Sequence, residues 1–312
     1  MTWGRTSRSR CVAATATWVG VGILGDGFGT VSTTAFFIED GDRFVPTEAA
    51  GGYWRPNTLG GRFVGGLLGL GLERAYGASD LVPARLCVDL IKMAPKAPLQ
   101  VATQIIRQGR RLLLAEAQLI ADGDVVARAN CLYLRETENP DSPTPQSPSW
   151  RVPSPHDLLP QPDRGHWEIR PIPADRREAH DTPRRRLAGE GDAPSSAANP
   201  PVLGPLSPFE ARQAWVRETR PLVEGQAHTP FTRVALAADF ASPMAHSSLG
   251  SIDYVNTDFT VYMHRLPATE WLGFDMVRHH ALAGVAVGEC WLHDEMGPVG
   301  TINVAAVAQR QA

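Results

Sequence analysis

The run from Asn57 to Tyr76, NTLGGRFVGGLLGLGLERAY, leaves the chain the fewest options. Phe63, Val64, Leu67, Leu68, Leu70 and Leu72 cover more than one face at helical spacing, so a helix here has to be buried, and amphipathic membrane binding fits it poorly. Six glycines, Gly60, Gly61, Gly65, Gly66, Gly69 and Gly71, thin the same stretch. Each interior glycine costs about 1 kcal/mol relative to alanine, so six of them need a packing reason. The simplest is close approach of a sheet or a ligand to the helix backbone.

The surrounding pattern supplies the sheet. A strand with a turn at Asp40 to Asp42 precedes the helix, and three β-like runs follow: 84–93, 99–109 and the hairpin RLLLAEAQLIADGDVVARANCLYLRE, whose Asp122-Gly123 marks a tight turn. A long helix and an antiparallel meander make an α+β unit with the helix against one sheet face. From Thr137 the composition turns to Pro, Ser and Asp, which predicts a linker that cannot bury enough apolar surface to order itself fully. A strand HWEIRPI follows, then a second low-complexity stretch over 173–208 that reads as an exposed insertion. Beyond it the order recurs: strand RQAWVRET, helix over about 230–241, then FTVYMHRL, EWLGFDMVR, AGVAVGECWLHD and GTINVAAVAQ as strands. The expected organisation is therefore an N-terminal extension (1–33), a first domain (34–136), a linker (137–165) and a second domain (166–312), the two domains related by internal duplication.

Charge and cysteine usage remove several function classes. Thirty Lys+Arg against 33 Asp+Glu, a formal net charge of -3, leave no basic excess to neutralise phosphates, so no nucleic-acid partner is expected. Cys11, Cys87, Cys131 and Cys290 are scattered without a CxxC pair, as buried thiols in a reducing, cytoplasmic setting would be. The nine histidines contain no HExxH, and His279-His280 would face opposite sides of a strand, so no metal is expected. Arg5, Arg8 and Arg10 precede an apolar stretch from Cys11 to Gly25, but it is too short and diluted for a membrane span and has no clean cleavage site. The GDGFGT run at 25–30 fits neither G-x-G-x-x-G nor a Walker loop.

The blocks GGRFVGGLLGLGLERAYG, ARANCLYLRE, WEIRPI, RQAWVRE, LAADFAS, TDFTVYMHRLPATEWLGFDM and HDEMGPVGTINVAAV together resemble the acyl-CoA thioesterase II (TesB-like) family. The likeness spans about residues 34–309, apart from the linker and the insertion. It implies two hotdog domains in one chain, each a long helix wrapped by an antiparallel sheet, and hydrolysis of acyl-CoA to free acid and CoA without a metal, cofactor or covalent intermediate. It also implies a homo-oligomer, and as substrate an acyl-CoA or acyl-carrier-protein thioester. The family orients its water with an Asp, a Thr or Ser, and a Gln. On this chain the resemblance puts the Asp at Asp258, the hydroxyl at or beside Arg278, where no Thr or Ser stands, and the Gln at Val304, next to Asn303.

Physical chemistry asks for the same parts. Thioester hydrolysis needs a water held and partly deprotonated beside the carbonyl carbon, and donors for the oxygen that gains charge. Asp258 is the candidate base, and Gly60 and Gly61, at the start of the first helix, are candidate oxyanion donors through their backbone N–H groups. Asn303 could replace the missing Gln only if a bulge re-aimed it, since strand neighbours face opposite sides. Arg278 stays protonated and could hold Asp258 ionised or grip a CoA phosphate. Asp239 in the second helix reads as a local cap or hydrogen-bonding residue, His264 and His279 as structural histidines, and Arg107, Arg110 and Arg111 as a solvated loop. Neither helix holds the D-x-N-P-x-H pattern of hotdog dehydratases. The alternative to a thioesterase is a non-catalytic acyl-thioester binding or scaffold protein that kept the fold and lost Thr and Gln.

Overall fold

The computed structural model describes residues 35–78, 80–143, 145, 149–161, 167–177, 212–247 and 252–309. The 1–33 extension and most of the 173–208 insertion lie outside the described residues. In chain order the elements are β1 (Phe37–Asp40), β2 (Arg43–Pro46), α1 (Gly61–Tyr76), β3 (Leu81–Leu90), β4 (Leu99–Gln108), β5 (Leu112–Ala121), β6 (Asp124–Arg135), β7 (Trp167–Pro171) and β8 (Gln213–Glu218). They continue with α2 (Pro230–Ala237), α3 (Ala241–His246), β9 (Tyr254–Asn256), β10 (Asp258–Met263), β11 (Leu272–Leu282), β12 (Val285–Asp294) and β13 (Gly297–Ala308). Among the described residues no helix is long and apolar enough to cross a membrane.

Alternation writes the sheet. Along β5 every second residue, from Leu113 to Ala121, is buried, the period of a strand with one face on a core. The β5–β6 turn puts Asp122 at φ 48° and Gly123 at φ 84°, the left-handed pair that a two-residue hairpin needs. The strands form one antiparallel sheet ordered β1-β2-β4-β5-β6-β3-β10-β13-β12-β11-β8-β7, with β9 paired to β13. Reading outward from the β3–β10 seam, each half places its strands in the same order relative to its helix. The strand after the helical segment is central, the last strand lies beside it, and the strands preceding the helix are outermost. At the seam Asp258 to Tyr262 run opposite Asp89 to Arg85.

Helix α1 packs on its own half of the sheet and on α2. Gly61, Gly65, Gly66 and Gly69 are spaces for the second half, while Gly71 makes room for Val101 of β4. A Cβ on Gly69 would stand 2.5 Å from the Cβ of Ala235, and one on Gly65 2.7 Å from the Ala235 carbonyl oxygen. The close approach that the glycines allow is therefore chiefly that of a helix, and of Phe259 on β10. The helix begins at Gly61, not at the expected Asn57, because residues 57–59 pair elsewhere. Leu59 N–H donates to Ala94 (2.8 Å), Lys96 N–H to the Asn57 carbonyl (2.9 Å), and Gly52 N–H to Thr58 (2.7 Å).

The second helical segment is broken where a single helix over 230–241 was expected. Thr229 caps its start, accepting from Thr232 N–H at 3.0 Å, with Pro230 in the first turn. Pro243 can neither donate to the carbonyl four residues back, at Asp239, nor fit its ring beside it. Residues Ala238–Phe240 tighten into a 3-10 turn, and α3 resumes at Ala241.

The Pro-rich linker holds more order than its composition suggests. Trp150 stacks on His293 with ring centroids 4.4 Å apart and leans on Trp215 at 5.0 Å, and Trp215 Nε1 donates to the Pro153 carbonyl at 2.9 Å. With Leu158, Ile172 and Trp271 these residues build a second, small apolar cluster apart from the main core. Three aromatic residues supply the burial that the prolines and serines cannot.

Candidate functional site

The N-terminus of α1 opens into a cavity of about 730 Å³. Leu59, Phe63, Val64, Trp167, Ile169 and Val255 supply apolar wall, while Gly60, Gly61, Arg62, Asp239, Ser242 and Asn256 bring the polar groups to one end. Both halves of the chain contribute, α1 from the first and the α2–α3 turn and β9 from the second.

The first amides of a helix have no acceptor inside the helix, and the dipole makes that end positive. Gly60 is the N-cap of α1 and has no side chain to take up those amides. Asp239 comes from the other half to meet them. It accepts from the backbone N–H of Arg62, and a Cβ on Gly61 would lie 2.5 Å from its Oδ1. Asn256 Nδ2 donates to the same Oδ1 at 2.9 Å. Burial raises the Asp239 carboxyl above the ordinary carboxylate value, against the lowering effect of Asn256, the Arg62 N–H and the Arg62 charge. A carboxylate with raised basicity, an amide fixing its orientation and a glycine-flanked helix start alongside can together hold and deprotonate a water next to an electrophilic carbonyl.

Of the residues singled out from sequence, Gly60 and Gly61 line this cavity; Asp258, Arg278 and Asn303 do not. Asp258 starts β10, and its Oδ1 accepts the Ala305 N–H at 2.7 Å, a bond to the neighbouring β13; burial raises its carboxyl. Arg278 is exposed and sits 3.6 Å from Glu289 Oε2, its cross-strand partner, so the suggested Asp258–Arg278 pair is replaced by Arg278–Glu289. Asn303 is exposed opposite Glu289 and Thr260, while Val304 beside it is buried. The β12–β13 register runs without a shift from Val285 to Leu292, so no bulge turns Asn303 inward.

Sequence reasoning passed over Asp239 and Asn256. Asp239 looked like a local cap, and in the structure it does meet the start of a helix, but one 178 positions earlier in the chain. The available signal was an acid inside the apolar run FTRVALAADF, costly to bury unless it is partnered or functional. Asn256 carried no such signal, because its neighbour Asp258 drew the same argument. His279 lies apart from the cavity, with its Nδ1 3.1 Å from His246 Nδ1. Among the described residues no cluster of His, Cys, Asp or Glu has metal-binding arrangement.

Comparison with known proteins finds sequence matches to two families: the acyl-CoA thioesterase N-terminal domain over residues 52–134, and the acyl-CoA thioesterase C-terminal domain over residues 155–307. No curated protein matches the chain by sequence. Among solved structures, a protein from Novosphingobium aromaticivorans assigned as a thioesterase superposes with TM-score 0.60 at 17% identity, covering 88% of this chain and 99% of that one. A conserved protein with hot dog fold from Alicyclobacillus acidocaldarius gives TM-score 0.59 at 17% identity, covering 90% and 97%. The acyl-CoA thioesterase II TesB2 of Mycobacterium marinum gives 0.54 at 17% identity, covering 81% and 91%. At these identities the likeness is one of fold, a large antiparallel hot dog sheet around few helices.

Proposed function

Because this chain belongs to the acyl-CoA thioesterase II (TesB-like) family, we propose that it is a double-hotdog hydrolase cleaving an acyl-CoA thioester at the α1 N-terminus, with Asp239 as general base. The observation that carries this reading is the meeting of three groups from distant parts of the chain: the Gly60-Gly61 helix start, the Asp239 carboxylate and the Asn256 amide bonded to it. Asp239 takes a proton from a water as its oxygen attacks the thioester carbon. The carbonyl oxygen gains the negative charge and is met by helix N-terminal amides at Gly60 and Gly61. Collapse of the tetrahedral intermediate breaks the C–S bond, and the proton held by Asp239 goes to the departing sulfur. Asn256 keeps one carboxylate oxygen occupied, which aims the other at the water.

Asp258 holds the last strand by accepting the Ala305 N–H and does not line the cavity. A second reading, an acyl-thioester binder without turnover, is favoured by Val304, a buried apolar residue where the family resemblance puts a Gln. Thiol release from acyl-CoA substrates of increasing chain length, for wild type, Asp239→Asn and Asp258→Asn, tests the choice. Turnover that Asp239→Asn abolishes and Asp258→Asn largely keeps supports the proposal. Turnover that survives Asp239→Asn and dies with Asp258→Asn returns the base role to Asp258. No turnover by the wild type, with acyl-CoA still raising its melting temperature, selects the binder.

A further inference from the structure

From the cavity wall inward runs a buried ion pair, Arg62 at the wall and Glu218 beyond it, that the proposed hydrolysis does not itself use. Arg62 is the second residue of α1 and 9% exposed. Its guanidinium lies over Phe36 at 4.8 Å, over Phe63 at 4.6 Å and over Trp167 at 4.6 Å. The open side of this aromatic cage meets Glu218 of β8, with Arg62 Nη1 3.4 Å from Oε1 and the Glu218 side chain 2% exposed. Trp167 Nε1 donates to the same Glu218 oxygen. The main chain of Arg62 faces the other way and donates its N–H to Asp239. One residue thus joins the candidate base to a buried carboxylate one layer behind it.

Such a pair is expensive as a stabilising device. Desolvation of two charges exceeds their attraction unless geometry is excellent, and an apolar pair of similar volume would do as well or better. Aromatic faces recover part of the cost for the cation, while burial pushes Glu218 up to about 7. The pair stands against the helix turn that meets Asp239, a position that points to a role other than stability.

We propose that Glu218 and Arg62 form a positioning pair for the base: the caged guanidinium locks the first turn of α1 against Asp239, and the two charges together set the electrostatic field that Asp239 feels. This rests on the reading of Asp239 as base. Among the described residues, charged and titratable groups meet the members of this set from several elements. Asp239 is met by Asn256 from β9 and by Arg62 from α1. Arg62 is met by Glu218 from β8 and, from the loop before α2, by His228, which burial lowers to about 4 and whose Nε2 accepts the Leu222 N–H. His228 is therefore neutral in the working range and adds no charge.

The signs follow from Coulomb's law. The Arg62 cation favours ionised Asp239, and ionised Glu218 opposes it. Glu218→Gln keeps the shape and the Trp167 bond but removes a charge that Glu218, raised to about 7, carries only near and above neutral pH, so the upper part of the acid limb of the kcat profile moves to lower pH, by about half a unit or more. Arg62→Met removes the cation and moves that limb to higher pH. Arg62→Lys keeps the charge and holds the limb near the wild-type position while the lost packing lowers the melting temperature. A purely structural pair would lower kcat equally at every pH and leave the limb in place. The experiment is kcat against pH, with acyl-CoA as substrate, for these three variants and Asp239→Asn, each checked by melting temperature. If Glu218→Gln fails to fold, the Arg62→Met and Arg62→Lys pair decides alone. An inactive Asp239→Asn with unmoved limbs in the charge variants overturns the inference and leaves the base assignment standing, whereas an active Asp239→Asn removes the base assignment, and the inference with it.

Discussion

Helix α1 and the α2–α3 segment occupy matching places in the two halves of one sheet, yet they differ in opposite ways. Helix α1 runs unbroken for 16 residues, carries glycine where its partner presses closest, and starts with no side chain over its first amides. The second segment has a side-chain cap, a proline inside it and a tightened turn between α2 and α3, and from that turn it projects Asp239. One copy contributes backbone donors and the other a carboxylate. The two halves present two matching helical segments, and the proposed site lies where one lacks side chains and the other aims a carboxylate into the space.

Asp239→Asn is the strongest way to break that division of labour: kcat falls about a hundredfold or more, with the melting temperature held or raised, as stopped-assay kinetics and thermal melts would show. A loss of comparable size in Asp258→Asn would shift the chemistry from the helix turn to the seam strand. Next in size, Gly61→Ala places a methyl 2.5 Å from Asp239 Oδ1, and kcat is expected to drop about tenfold or more with KM little changed, as misplacement near the chemistry does. At the helix contact, Gly69→Ala sets a methyl 2.5 Å from Ala235 Cβ, and urea titration should show a cost of about 1–3 kcal/mol with the catalytic residues untouched.

The pH dependence has a definite sign. Asp239 must be ionised to take a proton, and burial raises its carboxyl above the ordinary value, so kcat falls as pH drops through that raised pKa. A profile flat down to the ordinary carboxylate range would remove Asp239 from the rate-limiting proton transfer. Arg278→Ala sits at the small end: an exposed cation 3.6 Å from the half-buried Glu289 should change stability by about 0.5 kcal/mol or less and leave kcat alone.

Legibility followed the range of the interaction. Alternation in β5, the Asp122-Gly123 turn and the all-round apolar α1 are local patterns, and each is visible in ten to twenty consecutive residues. Gly60 and Gly61 were legible for the same reason, as a glycine pair just ahead of a helix. Asp239 and Asn256 were not, because what makes an acid functional is what it meets, and Asp239 meets α1 only after the two halves close on each other. Asn303 and Arg278 lie outside the cavity: alternation with no bulge leaves Asn303 exposed, and Arg278, just past an irregularity in the β11–β12 register between Met276 and Arg278, is exposed beside Glu289. The linker was misjudged in proportion to its few aromatics, since composition averages hide a single Trp150 that finds a Trp and a His to pack on.

The sequence by itself determined the α+β class, the repeat of strand, helix and meander, the turn positions and the burial of α1, because periodicity and turn chemistry act between neighbours along the chain. Tertiary structure alone decided which acid faces the glycine amides, which side of the last strand lines the interior, and that a caged arginine stands between Asp239 and Glu218. Those choices depend on how two helices and a seam of strands pack against one another, and no spacing within a single element encodes the distance between two of them.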